Sequence, residues 1–277
     1  VKAGIELVVH DIDQTKTAPL RAKGAELAGT AEAVAAEVER TIVIVETTDQ
    51  AQAVIAGERG IIKGAKPGHI VLCMATIDPF AARTLADQLA AQGIAMLDAP
   101  VSGGTGRAQS GDLSVIVGGD AAVFAKCEDL FKPMGSRSFH VGPLGSGLAM
   151  KLVNNMLVQV NTVAVAEAMV LGVKAGLDPQ MIYDVVRVST GASAAWELRV
   201  PRILSGDFEP GGTIDISYKD QELETAFAKR LGVPLLGELP LALEVRLAGD
   251  AGRPVAADEG PASEAYARIA RALIAQG

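Results

Sequence analysis

Gly142-Pro143-Leu144-Gly145-Ser146-Gly147-Leu148-Ala149-Met150-Lys151-Leu152-Val153-Asn154-Asn155 divides the sequence into two patterns. Before this stretch, short apolar strands alternate with helices. After it the strand pattern stops and helical candidates follow one another. The glycines and the proline predict a loop, Ser146 a helix N-cap, and the run beyond it a helix reaching Lys174. That helix is apolar on nearly every face, which predicts burial between other elements. Lys151 and Asn155 lie one turn apart, so their side chains share a face. Burial disfavours the charged form of a lysine and lowers its pKa, which suits it to acid or base work near neutral pH. The same residues fit equally well a lysine that snorkels to water beside an asparagine that satisfies a backbone group.

Working towards the N-terminus, strands are expected at Ser138 to Val141, Leu113 to Val117, Ile94 to Leu97, His69 to Met74, Thr41 to Val45 and Ile5 to His10. Helices are expected at Ala31 to Glu39, after Glu46-Thr47-Thr48-Asp49, at Phe80 to Ala91 and at Ala121 to Leu130. Val1-Lys2-Ala3-Gly4 reads as a helix tail with Gly4 as its left-handed cap. This alternation means a mostly parallel sheet with helices on both faces. Ligands of such sheets bind at the carboxyl ends of the strands, where Asp11, Glu46-Thr47-Thr48, Thr76 and Asp98 collect. An acid at the place of Asp11 is where a dinucleotide fold grips the adenosine ribose, although a turn or helix-cap residue explains Asp11 as well.

A dinucleotide fold opens with a strand, a G-x-G-x-x-G loop and a helix before the strand that ends in the acid. No such loop precedes Asp11, and Gly103-Gly104-Thr105-Gly106 lies too late to replace it. The expectation is therefore an α/β, Rossmann-type doubly wound sheet whose first strand and glycine loop, about 20–25 residues, are missing from the sequence. Its absence would leave two strands with unpaired edges. A real deletion with loss of cofactor binding is the alternative. Residues 1–143 form this dinucleotide-binding domain. Residues 144–277 form an all-helical domain for substrate and oligomerisation, with helices to Lys174, at Pro179 to Val188, Ile214 to Leu231, Leu235 to Leu247 and Ala262 to Ala275, and a surface loop at Gly249 to Gly260. The long helix is expected to carry Lys151 into the cleft between the two.

Composition narrows the partners. The 277 residues are 49% hydrophobic and 21% charged, ample for a packed core at this length. A net charge of -8 and the lack of any basic run argue against nucleic acid. Cys73 and Cys127 are far apart, form no metal-ligand spacing and read as buried thiols of a cytoplasmic protein. Lys151, Asn154, Asn155, Gln159, Asn161 and Glu167 interrupt the long apolar run, which argues against a membrane span. The apolar helices exceed what a small bundle needs to bury, which predicts a homodimer or homotetramer.

Asp98-Ala99-Pro100-Val101-Ser102-Gly103-Gly104, taken with Gly145-Ser146-Gly147, Lys151 and Asn155, resembles the β-hydroxyacid dehydrogenases, the family of 3-hydroxyisobutyrate dehydrogenase and tartronate semialdehyde (2-hydroxy-3-oxopropionate) reductase. Thr76-Ile77-Asp78-Pro79 is similar to the family's cofactor-side segment, Gly111 to Gly119 to the run after its substrate loop, and Asp215 to Asp220 to its later Lys-Asp motif. The resemblance implies hydride transfer between a nicotinamide cofactor and a small 3-hydroxy acid or its semialdehyde. It implies that Lys151 is the general acid/base and that Asn155 holds the substrate oxygen or orients the lysine. It gives Ser102, Gly103 and Gly104 the substrate carboxylate, for which close backbone N–H groups are suited. Asp11, Thr47, Thr76 and Lys219 fall on the cofactor side. Asp11 would accept from both ribose hydroxyls and repel a 2′-phosphate, and Ile12 stands where NADP users tend to place an arginine, so NAD is expected over NADP.

Departures from the family pattern are the absent glycine loop, Glu46-Thr47-Thr48 in place of a Leu-Pro, and Gln221 after Lys219-Asp220. Two other readings stand beside the dehydrogenase. An imine reductase of the same fold is disfavoured by Lys151, and a non-catalytic scaffold by the joint presence of Lys151, Asn155 and the Ser102 loop. Ser189 to Arg199, with Trp196, is a candidate wall of the distal pocket or, for Trp196, plain core packing.

Overall fold

A computed structural model describes residues 3–209, 214–233 and 260–276. The helix expected over Leu235–Leu247 and nearly all of the loop expected after Gly249 fall outside these residues, as do Val1 and Lys2. The backbone divides into two compact units, Val1–Glu224 and Thr225–Gly277. In the second unit, Pro261–Gln276 is helical, close to the Ala262 to Ala275 expected.

The first unit begins with strand β1 (Val8–Val9), helix α1 (Gln14–Arg21) and strand β2 (Glu26–Leu27). There follow α2 (Ala31–Glu37), β3 (Arg40–Val43), α3 (Thr48–Ala56), α4 (Ile61–Gly64), β4 (Ile70–Cys73), α5 (Pro79–Ala90) and β5 (Ala95–Asp98). The short β6 (Val101–Ser102) and α6 (Gly104–Ser110) lead to β7 (Ser114–Gly118), α7 (Ala121–Ala125), α8 (Glu128–Phe131) and β8 (Arg137–Gly142). Beyond them come α9 (Ser146–Lys174), α10 (Pro179–Val186), α11 (Ala194–Ser205) and α12 (Ile214–Arg230), whose last residues enter the second unit. Sequence periodicity does not reveal α1, β2, β6, α6 or α11. The first of these is polar and contains Pro19, β2 is two residues long, and α6 is rich in small residues, so none carries a strong apolar pattern.

The expected doubly wound sheet is present. Strands β3, β4 and β5 are parallel, β7 runs antiparallel to β5 and β6, and β8 pairs parallel with β7. Strands β1 and β2 pair in parallel as a separate two-stranded sheet. Among the described residues β1 pairs only with β2 and β3 only with β4, so both show the open edges expected above.

Alternation along β4 shows how the layers form. Val71 and Cys73 join a core with residues of α2, α3, α4 and α5, and Ile70 and Leu72 join a second core with Cys127, Leu130 and Phe131. Successive strand side chains point to opposite faces, so the sheet is covered on both. A third cluster joins Val165 and Met169 of α9 to Ile182 of α10 and to Ala195, Trp196 and Val200 of α11. Trp196 is 2% exposed and its Nε1 donates to the Tyr183 carbonyl at 3.4 Å, so it is core packing and not a pocket wall.

Helix α9 has the expected bounds but not the expected burial. Only Gly147, Leu148, Leu152, Val165 and Met169 of its 29 residues are buried. Apolarity all round asks for cover on all sides, and the described residues of α10, α11 and the sheet cover one side and its beginning.

Candidate active site

The expected cap of α9 is wrong in an instructive way. Gly145, with φ of 88°, is the N-cap, and Ser146 is the first helical residue and makes no capping bond. Asp98, at the carboxyl end of β5 and fully buried, performs the capping from a distance of 47 residues in sequence. Its Oδ1 accepts from the Gly145 N–H at 2.8 Å and its Oδ2 from the Leu148 N–H at 2.7 Å. A carboxylate there satisfies donors that a helix leaves unpaired and faces the positive end of the dipole. Burial still dominates and pushes the Asp98 carboxyl above the usual carboxylate range, with the backbone donors pulling the other way. Room for this group comes from glycine. A Cβ on Gly147 would lie 2.9 Å from Asp98 Oδ2 and 2.6 Å from the Ile116 carbonyl oxygen. One residue thus fixes the first turn of α9 on the sheet, and with it the place of Lys151.

Lys151 is half-buried, and its pKa is lowered chiefly by burial. The carboxylate of Asp220 works against this shift and the ammonium of Lys219 works with it. The surroundings are those of a partly desolvated lysine. Asn155, one turn on, donates through Nδ2 to Asp220 Oδ2 at 2.7 Å and accepts at Oδ1 from Asn154 Nδ2 at 3.1 Å. Asp220 is 5% exposed. Lys219 Nζ donates to the Thr76 carbonyl at 2.9 Å and lies 2.9 Å from Asp220 Oδ1, an ion pair without hydrogen-bond alignment. The chain thereby gathers β4's carboxyl end, the start of α9 and the first half of α12 around Lys151, Asn155, Asp220, Lys219 and Thr76.

Among the described residues no hydrogen bond joins the other expected site residues to this cluster. Gly103 and Gly104, with φ of 142° and 69°, turn the chain from β6 into α6 in backbone regions that other residues avoid. No hydrogen bond among the described residues joins Ser102, Gly103 or Gly104 to Lys151; β6 reaches β5 only through β7. Thr47 caps α3 in a reciprocal arrangement with Gln50, so its hydroxyl is already engaged. Asp11 accepts from the Asp13 N–H at 2.8 Å, the turn role, while its position two residues beyond β1 keeps it at a strand's carboxyl end. Asp220 and Asp98 are the residues whose part in the site sequence reasoning underrated. The adjacency of Lys219 and Asp220 was a signal for the first. Nothing local signals that Asp98 caps α9.

Asp11 and the carboxyl ends of β3 and β4 suit the ribose side of a dinucleotide, whereas a glycine-rich phosphate cradle is not found among the described residues. Comparison with known proteins identifies the family. Residues 1–142 match the family described as the NAD binding domain of 6-phosphogluconate dehydrogenase. Residues 145–251 match the family described as the NAD-binding domain of NADP-dependent 3-hydroxyisobutyrate dehydrogenase. A 2-(hydroxymethyl)glutarate dehydrogenase of Eubacterium barkeri is 34% identical over 85% of this chain and 78% of its own. An NAD-dependent L-serine dehydrogenase of Pseudomonas aeruginosa is 35% identical over 88% of this chain and 84% of its own. The crystal structure of a 3-hydroxyisobutyrate dehydrogenase from Salmonella typhimurium, 32% identical, superimposes with a TM-score of 0.74, covering 91% of this chain and 89% of that one.

Proposed function

The chain belongs to the β-hydroxyacid dehydrogenase family, and from that premise we propose that it transfers a hydride between NAD and a small 3-hydroxy acid, with Lys151 as the general acid/base. The observation that carries this reading is the desolvated Lys151 facing the Asn155–Asp220 pair. When bound, the nicotinamide supplies the hydride acceptor or donor. The protein supplies the proton chemistry. In the oxidative direction the neutral Lys151 amine takes the proton of the substrate hydroxyl; in reduction the ammonium returns it to the carbonyl oxygen. Asp220 takes one N–H of Asn155, which leaves the second N–H of that amide for the substrate oxygen. Ser102, Gly103 and Gly104 receive the substrate carboxylate, since a turn of two left-handed glycines exposes backbone donors. Asp11 grips the ribose, with Thr47, Thr76 and Lys219 along the rest of the cofactor's path. NAD is favoured because Asp11 repels a 2′-phosphate and the adjacent Ile12 is 93% exposed and uncharged.

The exposed apolar length of α9 supports a homodimer or homotetramer formed through residues 144–277 acting as the substrate and oligomerisation domain. The free thiols of Cys73 and Cys127 support a reducing compartment, the cytoplasm.

The test is Lys151→Ala in the full-length protein, assayed with NAD and a panel of 3-hydroxy acids. Turnover is expected to fall about 10²–10⁴-fold with the fold intact by circular dichroism. Unchanged turnover would remove Lys151 from its role.

A further inference from the structure

The turn that carries Gly103 and Gly104 runs straight into α6, and one residue of that helix, Arg107, reaches from it in both directions along the chain. Forward, Arg107 is tied twice to Asp112. Its carbonyl accepts from the Asp112 N–H at 2.9 Å, and its guanidinium donates to Asp112 Oδ2 from Nε at 3.1 Å and from Nη2 at 2.9 Å. Asp112 is itself held, because its Oδ1 accepts from the Ser136 hydroxyl at 3.0 Å and the next N–H, of Leu113, donates to the Met134 carbonyl at 3.1 Å. The Ser136 bond, and after it the Arg107 bond, keep the Asp112 carboxyl below the usual carboxylate range. Backward, the stem of Arg107 lies against Gly103. A Cβ built on Gly103 would come 2.9 Å from Arg107 Cβ, 3.1 Å from Arg107 Cδ and 3.1 Å from Leu113 Cδ2. A glycine with φ of 142° has no side chain of its own to hold it and can take other backbone conformations. Arg107 and Leu113 close the side on which a side chain would otherwise stand.

We propose that Arg107 is a positioning residue for the substrate: braced on Asp112, its stem keeps the Ser102-Gly103-Gly104 turn in the form that receives the substrate carboxylate. This rests on the carboxylate reading of that turn given above. Without the brace the two glycines sample other backbone regions, and only a fraction of the molecules present the turn ready for an anion. Apparent affinity for the substrate then falls by that fraction. The effect is local. The side chains of Arg107 and Asp112 are 40% and 47% exposed, and an ion pair so placed adds little to global stability. Among the described residues no hydrogen bond joins Arg107 to Lys151, Asn155 or Asp220, so the acid/base group keeps its own surroundings when Arg107 is changed.

Hydrogen–deuterium exchange of the full-length protein, read by mass spectrometry on peptides covering residues 101–110, tests the brace without any substrate. In Arg107→Ala, exchange in this segment is expected to quicken. Asp112→Ala, which keeps the arginine but removes its anchor, is expected to quicken the same segment. Arg107→Lys, which keeps the stem and the charge, is expected to stay closer to the wild type. Steady-state kinetics with NAD and a 3-hydroxy acid read the consequence. The KM for the acid is expected to rise about tenfold in Arg107→Ala, as when about a tenth of the molecules hold the turn ready, with kcat and the KM for NAD much less affected. Coincident exchange in wild type and Arg107→Ala, with both proteins folded by thermal melt, would overturn the proposal. So would an Asp112→Ala that matches the wild type in exchange and KM beside an impaired Arg107→Ala, since the arginine would then act through its own charge. Quickened exchange in both variants with an unchanged KM for the acid would keep Arg107 as the brace of this turn and sink the carboxylate reading alone.

Discussion

Strand β4 and helix α9 are both written in apolar residues, yet all of Ile70–Cys73 is buried and only five of the 29 residues of α9 are. The strand lies between two helical layers, one from residues 31–89 and one from Cys127 to Phe131, so its pattern is answered within the chain. The helix begins in the same core at Leu148, is covered again by α10 and α11 at Val165 and Met169, and is otherwise largely exposed. Val160 is 60% exposed and Leu171 72%. An apolar run states that cover is needed; it does not state what supplies it. Where α9 is buried, its place is set to within a hydrogen bond by Asp98, and that is the end that carries Lys151 and Asn155.

This contrast can be broken in order of expected effect. Leu72→Ala in β4 removes a fully buried side chain and is expected to cost about 2–5 kcal/mol in urea unfolding. A cost below about 1 kcal/mol would show the sheet core to be looser than its packing implies. Asp98→Asn replaces two acceptors by one acceptor and one donor, so one of the amides of Gly145 and Leu148 faces a donor. The loss is expected to be about 1.5–3 kcal/mol, with turnover reduced in the folded fraction because the start of α9 shifts.

His69 sharpens the comparison on the sheet side. It is buried, its Nε2 lies 2.8 Å from Thr41 Oγ1, and burial lowers its pKa. The unfolded chain therefore takes up a proton below about pH 6.5 that the folded chain refuses. Stability from this group is present above that pH and is lost as pH falls towards the folded value, with a slope of at most about 1.4 kcal/mol per pH unit. Urea unfolding of His69→Gln between pH 7 and 5 is expected to show a flatter slope than the wild type. Val160→Lys on the exposed length of α9 should change unfolding of the dilute chain by no more than about 0.5 kcal/mol. Light scattering is expected to show the same variant shifted to smaller assemblies. An unchanged mass would mean that this face does not hold copies together.

Legibility followed the strength of the local pattern. The bounds of α9 and the cores of β3, β4, β5 and β7 could be read because their apolar residues recur at one period and end at glycine, proline or a polar cap. Lys151 and Asn155 could be paired because helical spacing alone puts them on one face. Helix α11 and the pair α1–β2 could not, because short or polar segments owe their form to what they pack on. Trp196 shows the same limit: its size announces burial, but only α9 and α10 show that it is core and not pocket. In the site, the role of Asp98 was illegible because it acts on a helix 47 residues away in sequence.

By itself the sequence determined much of the order of elements, the change from alternating strands and helices to helices alone near Gly142, and the shared face of Lys151 and Asn155 on α9. These are set by period, by turn residues and by side-chain chemistry, all of which act over a few residues. The tertiary structure alone decided that Asp98 holds the start of α9 and that Asp220 and Lys219 close around Lys151. The physical reason is that a pKa, a cap or an ion pair depends on distance and burial in space, and Asp98 meets Gly145, and Asp220 meets Lys151, only once the sheet and its helices have packed.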